Sequence, residues 1–598
     1  MSAVSRRRAA RGALLALLAI ACLVFPLAAS PFALRVAQTL LFGAALATAW
    51  NILGGLAGYW SFGNSAFLGL GAFAAALMQE HTSINDAMLR FVVGLVAGGG
   101  TTTFLALIIG YPILRLRGAY FAIAMLGVSL ALAELSSSVD LFEGALGVTV
   151  APITDAAPEK FFYYVFFGLA AASLVIATLV RYARLGYGLI AIREDEDTAR
   201  MLGVPTERYK LLAFVLSALV TGMVGAAYAF SLGYITTNSV FRTDISFNVI
   251  VYALLGGIGT LAGPVLGAAA MTLLTQVALA DLLQVHMMVT GFAIVALVFL
   301  MPNGLMGLRR SARIVRPTDG AARSANVPAL GSPPAEAPQD GRPILRLVGL
   351  SKQFRGLRAI DNIAIDIAPG RISSIIGPNG AGKSTLFNMV TGYLAPASGE
   401  IWYEGERIDG ILTYRLSRRG IARAFQIAKP FAGLNVYENV LVGALFGRDG
   451  PRDPHREAEA ALALVGLTER ANDLASSLPV GHLRRLEIAR VVATRPKLVL
   501  ADEPCAGLNP TETREMMAIL NVVRTNGVTV VLVEHDMRAV MEISDEIFVI
   551  AAGRLIAHGV PRDVVRDPAV IEAYLGKPLT TGEREGAVAL AWAARGAS

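Results

Sequence analysis

Residues 377–385 read Gly-Pro-Asn-Gly-Ala-Gly-Lys-Ser-Thr. Glycines at this spacing ahead of Lys-Ser let backbone N–H groups curl around phosphate oxygens. The segment 372–376 before the loop reads as a strand and 386–390 after it as a helix, whose N-terminus favours negative charge. Gly377, Pro378, Asn379, Gly380, Ala381, Gly382, Lys383, Ser384 and Thr385 thus form a candidate cradle for a nucleoside triphosphate. Lys383 would reach the terminal phosphates, and the Ser384 hydroxyl would ligate Mg²⁺.

Further groups follow in a fixed order. Leu498–Glu503 is a buried-strand pattern ending in two carboxylates. Asp502 would hold Mg²⁺, and Glu503 would polarise the attacking water. Gln426, in Ala424-Phe425-Gln426, carries an amide suited to touching both metal and water. His535, in Glu534-His535-Asp536 after the buried run 528–533, can donate to the γ-phosphate. Between Gln426 and the carboxylates, Leu478-Pro479-Val480-Gly481-His482 is a turn that runs into a helix at Leu483–Arg490. A lone His or Gln is usually structural; this ordered set spells nucleotide hydrolysis.

These residues need an α/β scaffold, and alternating strand-like and helical segments from 342 to 576 supply one, about 235 residues long. The rest of the chain is of another kind. It has 598 residues, 55% hydrophobic and only 16% charged, against roughly 25% charged in soluble domains, so much of it belongs in lipid. The two cysteines, Cys22 and Cys505, suggest no disulfide framework. The net charge of +7 does not point to nucleic acid, because many arginines flank apolar runs.

Those runs fall at 13–30, 34–54, 64–79, 91–111, 118–137, 161–180, 211–232, 247–280 and 286–301. Four arginines, Arg6, Arg7, Arg8 and Arg11, precede the first run. It reads as an uncleaved span with a cytoplasmic N-terminus rather than a signal peptide, since more apolar runs follow at once. The loops 112–117 and 181–210 then lie inside and are rich in arginine, whereas 138–160 lies outside and is acidic. The run 247–280 is broken at Gly256-Gly257-Ile258-Gly259 and Gly263-Pro264, so it is a re-entrant element or two tilted half-helices. The same glycines suit a helix-packing face. The total is about eight to ten spans. A second glycine-rich break falls at Gly54–Gly63. Glu134 is an intramembrane or interfacial carboxylate. The inside loop 181–210 has a charged, helix-like centre at 188–204, suited to docking on an ATPase surface. Residues 1–310 are thus expected to form a transmembrane permease domain, 311–341 a proline-rich linker and 342–576 the ATP-binding domain, with 577–598 as a tail.

The cytoplasmic half resembles the ATP-binding subunit of an ABC transporter, with its A, Q, signature, B, D and H elements in place. The resemblance makes Phe354 the adenine-stacking aromatic. It makes Leu478, Pro479, Val480, Gly481 and His482 the signature, usually Leu-Ser-Gly-Gly-Gln. Here the hydroxyl that reaches the γ-phosphate across a dimer is replaced by Pro479, acceptable in a first helical turn. Asn509 replaces the D-loop Asp. Leu386-Phe387-Asn388, Gly420–Gln426, Arg485–Arg490 and Ala573–Gly576 resemble ATPases of branched-chain amino acid importers. Arg115–Ile123 and Ala191–Glu196 resemble one of their permeases, with Met125-Leu126 standing where the family tends to have Thr-Leu.

The resemblance implies a permease fused to its ATPase in a bacterial inner membrane, multi-pass, with the ATPase domain in the cytoplasm and membrane lipid around the spans. It implies ATP and Mg²⁺ as cofactors and import of a branched-chain amino acid or a related amino acid or amide. The expected partners are a second permease subunit, a second ABC ATPase subunit and an extracytoplasmic solute-binding protein, and no nucleic acid. An exporter fits less well, because six long spans with large cytoplasmic extensions are absent here. A membrane-anchored ATPase without transport is disfavoured by the broken helices.

Overall fold

Ser30 and Pro31 start the first long helix, Pro31–Leu53. The serine hydroxyl accepts from Ala33 N at 3.3 Å, and the proline sits where its missing N–H costs nothing. The computed structural model describes residues 20–82, 84–139, 147–153, 158–278, 291, 295, 304–307, 342–354, 356–448 and 453–575. The chain divides into two compact units, Met1–Arg193 with Thr206–Ile314, and Glu194–Pro205 with Val315–Ser598.

In the first unit the apolar runs become Pro31–Leu53, Asn64–His81, Ala87–Ile113, Ala119–Ser138, Pro158–Tyr182 and Thr206–Leu232. Among the described residues, five of these are long and apolar enough to cross a membrane, all but Asn64–His81. Small residues let them approach closely. A Cβ on Gly71 would lie 2.3 Å from Gly222 O, and one on Gly222 would lie 2.1 Å from Thr102 Oγ1. Trp50, Phe73 and Phe230 are among the buried side chains of this unit's core.

The run 247–280 is two half-length helices, Thr243–Gly256 and Gly263–Leu273, followed by a π turn at Leu274–Ala278. At 14 and 11 residues they rise about 21 and 16 Å, short of a bilayer core of about 30 Å. They also pack backbone on backbone: a Cβ on Gly267 would sit 1.8 Å from Tyr252 O. Breakage and glycine packing therefore coexist. Strand β1, Val148–Thr149, pairs antiparallel with β2, Tyr234–Ile235, tying the expected outside loop 138–160 to the segment that follows the helix Thr206–Leu232. Glu134 is exposed. Residues 20–28, within the expected span 13–30, are helical. Residues 13–19, most of 286–301, the linker 311–341 and the tail 577–598 lie outside the described residues.

The second unit carries two sheets. Strands β3 (Leu345–Phe354), β4 (Leu357–Ile367), β6 (Ser398–Tyr403) and β7 (Glu406–Arg407) form an antiparallel sheet in the order β4-β3-β6-β7. Strands β5 (Ile372–Ile376), β8 (Ile421–Ala424), β9 (Leu498–Asp502), β10 (Thr529–Val533), β11 (Glu546–Ala551) and β12 (Arg554–Gly559) form the other, ordered β12-β11-β5-β10-β9-β8. All its neighbours run parallel except the β11–β12 pair. Strands β5, β9 and β10 are buried along their whole length; β9 and β10 accordingly read as near-continuous apolar runs, while β5 also carries Ser373 and Ser374.

The inside loop is a broken helix. Arg184–Glu194 ends, Asp195 turns extended at φ −157° and caps Thr198 N, and Glu196–Met201 follows. Segment 194–205 belongs to the ATPase-bearing unit.

Candidate functional site

The phosphate loop leaves buried strand β5 at Gly377 and enters the helix Lys383–Val390. Only glycine fits at two of its corners. Gly382 has φ +106°, and a Cβ on it would lie 2.4 Å from Ala359 O; a Cβ on Gly377 would lie 1.9 Å from Ile550 O. Asn379, Gly380 and Ser384 are exposed, whereas Ala381 is buried. Lys383 is 7% exposed, and its Nζ donates to Gly377 O at 2.6 Å and Pro378 O at 3.0 Å. Burial lowers the pKa of this ammonium, against the pull of Glu503 and Asp502. Phe354 ends β3 with 44% of its surface exposed, and Lys352 Nζ lies 5.7 Å from the centre of its ring.

Parallel pairing of β9 between β8 and β10 brings the other groups together. Glu503 follows β9 with a left-handed backbone, φ +47°, and its N–H donates to Val533 O at 2.8 Å. Gln426 Nε2 donates to Glu503 Oε2 at 2.7 Å, and His535 Nε2 lies 2.7 Å from Glu503 Oε1. Gln426, Glu503 and His535, spread over 110 residues of sequence, form one cluster.

Asp502 has a partner that sequence reading missed. Arg423 Nη2 donates to Asp502 Oδ2 at 2.7 Å, and Arg423 Nη1 to Asn388 Oδ1 at 2.5 Å. The arginine thus ties the phosphate-loop helix to the end of β9. The signal was present: Arg423 is the one charge in the short buried strand Ile421–Ala424. The other oxygen, Asp502 Oδ1, is buried with no hydrogen-bond partner among the described residues. Ser384, Gln426 and this carboxylate oxygen are hard oxygen donors, the set a Mg²⁺ shell needs. Glu534 was missed too. It is buried and accepts backbone N–H groups from Cys505 at 2.7 Å and His535 at 3.0 Å, fixing the base of the histidine loop. Burial raises its pKa.

Among the described residues, no hydrogen bond joins the signature to the phosphate loop or to the Glu503 cluster. Pro479 is the N-cap of the helix Val480–Val492, with no side-chain cap, rather than a first-turn residue. Val480 is 55% exposed, and Gly481 is covered by Glu512, whose Oε1 would lie 2.5 Å from a Cβ there. His482 is half-buried, and burial, then Arg470 and Arg485, lower its pKa. Asn509 caps the helix Pro510–Thr525 in a reciprocal box with Glu512. Arg484 links the parts: its guanidinium donates to Gln426 O and, at 3.1 Å, to Ala506 O.

The same unit holds the loop segment. Lys429 Nζ pairs with Asp195 Oδ2 at 3.0 Å, and Gly433 N donates to Glu194 Oε2 at 3.2 Å. Burial acts to raise the Asp195 pKa, but hydrogen bonds from Thr198 and Lys429 bring it below the ordinary carboxylate value. Glu196 instead pairs with Arg200 of its own helix at 2.8 Å. Gly203 has φ +90°, and a Cβ there would lie 2.2 Å from Phe446 O. Beneath Lys429, Arg490 Nη1 donates to Lys429 O at 2.8 Å and pairs with buried Glu487 at 3.0 Å.

A phosphate loop, a strand-end carboxylate pair and a histidine on one parallel sheet define an ATP-binding cassette ATPase. Here it is fused to a helical permease unit. Residues 32–298 match the model of the branched-chain amino acid transport system permease component. Residues 360–506 match the ABC transporter model, and 554–579 the branched-chain amino acid ATP-binding cassette transporter model. The chain is 43% identical over 252 residues to the branched-chain amino acid transport ATP-binding protein BraF of Pseudomonas aeruginosa, covering 40% of this chain and 99% of that protein. It is 39% identical over 252 residues to LivG of Escherichia coli, again 40% of this chain and 99% of that protein. A crystal structure of a nucleotide-free ATP-binding cassette from an ABC transporter aligns at 30% identity and TM-score 0.37, covering 39% of this chain and 99% of that one. The chain belongs to the branched-chain amino acid family of ABC transporters and joins a permease and an ATP-binding component of that family in one polypeptide. Its cassette hydrolyses ATP in the service of transport.

Proposed function

We propose that the protein imports a branched-chain amino acid, or a related amino acid or amide, across the bacterial inner membrane. The observation that carries this reading is the union of a branched-chain permease match at 32–298 with a cassette 43% identical to BraF. The cassette by itself gives no direction, since it is also 31% identical over 235 residues to the lipopolysaccharide export ATP-binding protein LptB of Haemophilus influenzae, covering 39% of this chain and 98% of that protein. The permease match supports import.

In this reading the phosphate loop 377–385 cradles the ATP phosphates and Phe354 stacks on the adenine. Ser384, Gln426 and Asp502 would hold Mg²⁺, which would screen the phosphate charge. Glu503 accepts the proton of the attacking water, and Gln426 and His535 hold its two carboxylate oxygens. Residues 478–482 serve the nucleotide of a second ABC ATPase subunit. A second permease subunit and an extracytoplasmic solute-binding protein complete the assembly in the lipid bilayer. The functional test is uptake of labelled leucine into cells expressing the full chain with these partners. Leucine accumulation that Lys383→Ala abolishes is expected; ATP-dependent efflux instead would establish an exporter.

Two further outcomes follow from the geometry. Asp195→Lys is expected to lower uptake per ATP hydrolysed, and the swapped pair Asp195→Lys with Lys429→Asp to recover it. Unchanged uptake per ATP in the single variant would remove this contact from the coupling route. Pro479→Ser supplies a hydroxyl at the signature N-cap. It should raise steady-state ATP turnover about fivefold, the ratio given by one hydrogen bond of about 1 kcal/mol. No increase would show that the partner's phosphate is held by backbone alone.

A further inference from the structure

The chain passes from the first unit to the second at the Arg193–Glu194 bond and returns at Pro205–Thr206. What stands at those two crossings is informative. Arg193, the last residue before the crossing, donates from Nη1 to Gly55 O at 3.0 Å. It runs through the glycine-rich break at 54–63 so closely that a Cβ on Gly58 would lie 2.8 Å from its Cγ. Its guanidinium also reaches the second break: a Cβ on Gly259 would lie 2.6 Å from Nη1. Both glycines have left-handed backbones, φ +76° and +74°, so both the conformation and the space at these positions exclude a side chain.

Lys210 stands just past the return crossing. It is 2% exposed, and its Nζ donates to Tyr59 OH at 3.0 Å and to Leu114 O at 3.0 Å. Tyr59 lies in the same break that Arg193 grips, and Leu114 ends the helix Ala87–Ile113. The two breaks are joined to each other as well. Buried Asn51 accepts from Gly259 N at 2.9 Å and donates to Thr260 O at 2.9 Å.

We propose that Arg193 and Lys210 are positioning residues that deliver movement of segment 194–205 to both helix breaks, 54–63 and 257–262. The physical reason is mechanical. A helix break is the place where a helix end moves without breaking a continuous hydrogen-bond ladder. A charged donor on a backbone carbonyl is a strong and directional tether. Segment 194–205 is fixed on the ATPase side by Lys429 and Gly433. With Arg193 directly before it and Lys210 in the first turns of the helix after it, a shift of that segment displaces Gly55, Tyr59 and Gly259 together. Arg193 reaches both breaks with one nitrogen, Nη1.

The proposal rests on the reading of the chain as a transporter, and its test is independent of the solute. Ala262 is exposed at the end of the second break. Ala262→Cys in a Cys22→Ser background gives one reactive thiol, since Cys505 is buried and burial pushes its pKa up. Maleimide labelling is followed in membranes holding the full chain and its partner subunits, with and without Mg·ATP. In the parent, nucleotide is expected to change the labelling rate about fivefold or more, the low end of coupling between distant sites. Arg193→Ala and Lys210→Met should abolish that change while ATP hydrolysis continues, and Arg193→Lys should restore part of it. A response in Arg193→Ala and Lys210→Met equal to the parent's would overturn the proposal, and so would a parent that does not respond. Leucine uptake, measured in the same strains, reports on the solute separately. A nucleotide response lost in Arg193→Ala, together with no leucine uptake in the parent, would remove the solute and leave this route standing.

Discussion

Glu503→Gln is expected to lower ATP turnover by about 10²–10⁴-fold, the range for loss of a positioned general base, while ATP still binds. The geometry makes the substitution specific. Glu503 is held on an uncommon left-handed backbone, with its N–H bonded to Val533 O at 2.8 Å, so its side chain is aimed by the sheet rather than by loop packing. Both carboxylate oxygens are engaged, one by Gln426 and one by His535, each at 2.7 Å. Glutamine has the same shape but cannot take a proton from water. The Lys383 loop, the Asp502 carboxylate and the Phe354 face are untouched. Filter binding of labelled ATP alongside phosphate release separates the two effects. Turnover within about twofold of the parent would transfer the role of base to another residue. His535→Ala, which frees one oxygen of Glu503, should cost less than Glu503→Gln.

The largest effect on stability is expected from Arg423→Ala. The Arg423 and Asp502 side chains are 5% and 3% exposed. Removing one partner leaves a buried carboxylate uncompensated, at a cost of about 3–5 kcal/mol. For a domain of this size that lowers the unfolding temperature by on the order of 10 °C. Thermal unfolding of the full chain in membranes or detergent, followed at the ATPase domain, would show it. The added change Asp502→Asn removes the stranded charge, so the double variant should regain much of the loss. If Arg423→Ala unfolds at the parent temperature, the buried pair is not what holds β8 to β9. Arg423 also reaches Asn388 on the phosphate-loop helix, so ATP affinity should fall with stability.

Much of the nucleotide site was legible because its parts are local. A glycine loop between a strand and a helix is contiguous in sequence, and Asp502 and Glu503 announce themselves at the end of an apolar strand. The six described long helices were legible for the same reason, since the length of an apolar run is a one-dimensional property. The break inside 247–280 was marked by its glycines, which also allow Gly267 to lie against Tyr252 O.

Pairing between residues far apart in sequence was not legible. Sequence showed a charged loop centre at 188–204 without showing that the helix breaks at Asp195. It did not show that Asp195, rather than Glu196, reaches Lys429 across 234 residues. It gave Pro479 a place in the first helical turn, whereas the extended backbone at ψ 161° makes it the cap. Nor could it connect Arg423 with Asp502, or Arg193 and Lys210 with the break at 54–63. Residue type and spacing were enough to show which chemistry the chain carries and which stretches are apolar. Which charges meet emerged from the fold alone, because a buried ion pair or a donor on a backbone carbonyl depends on how separate elements pack.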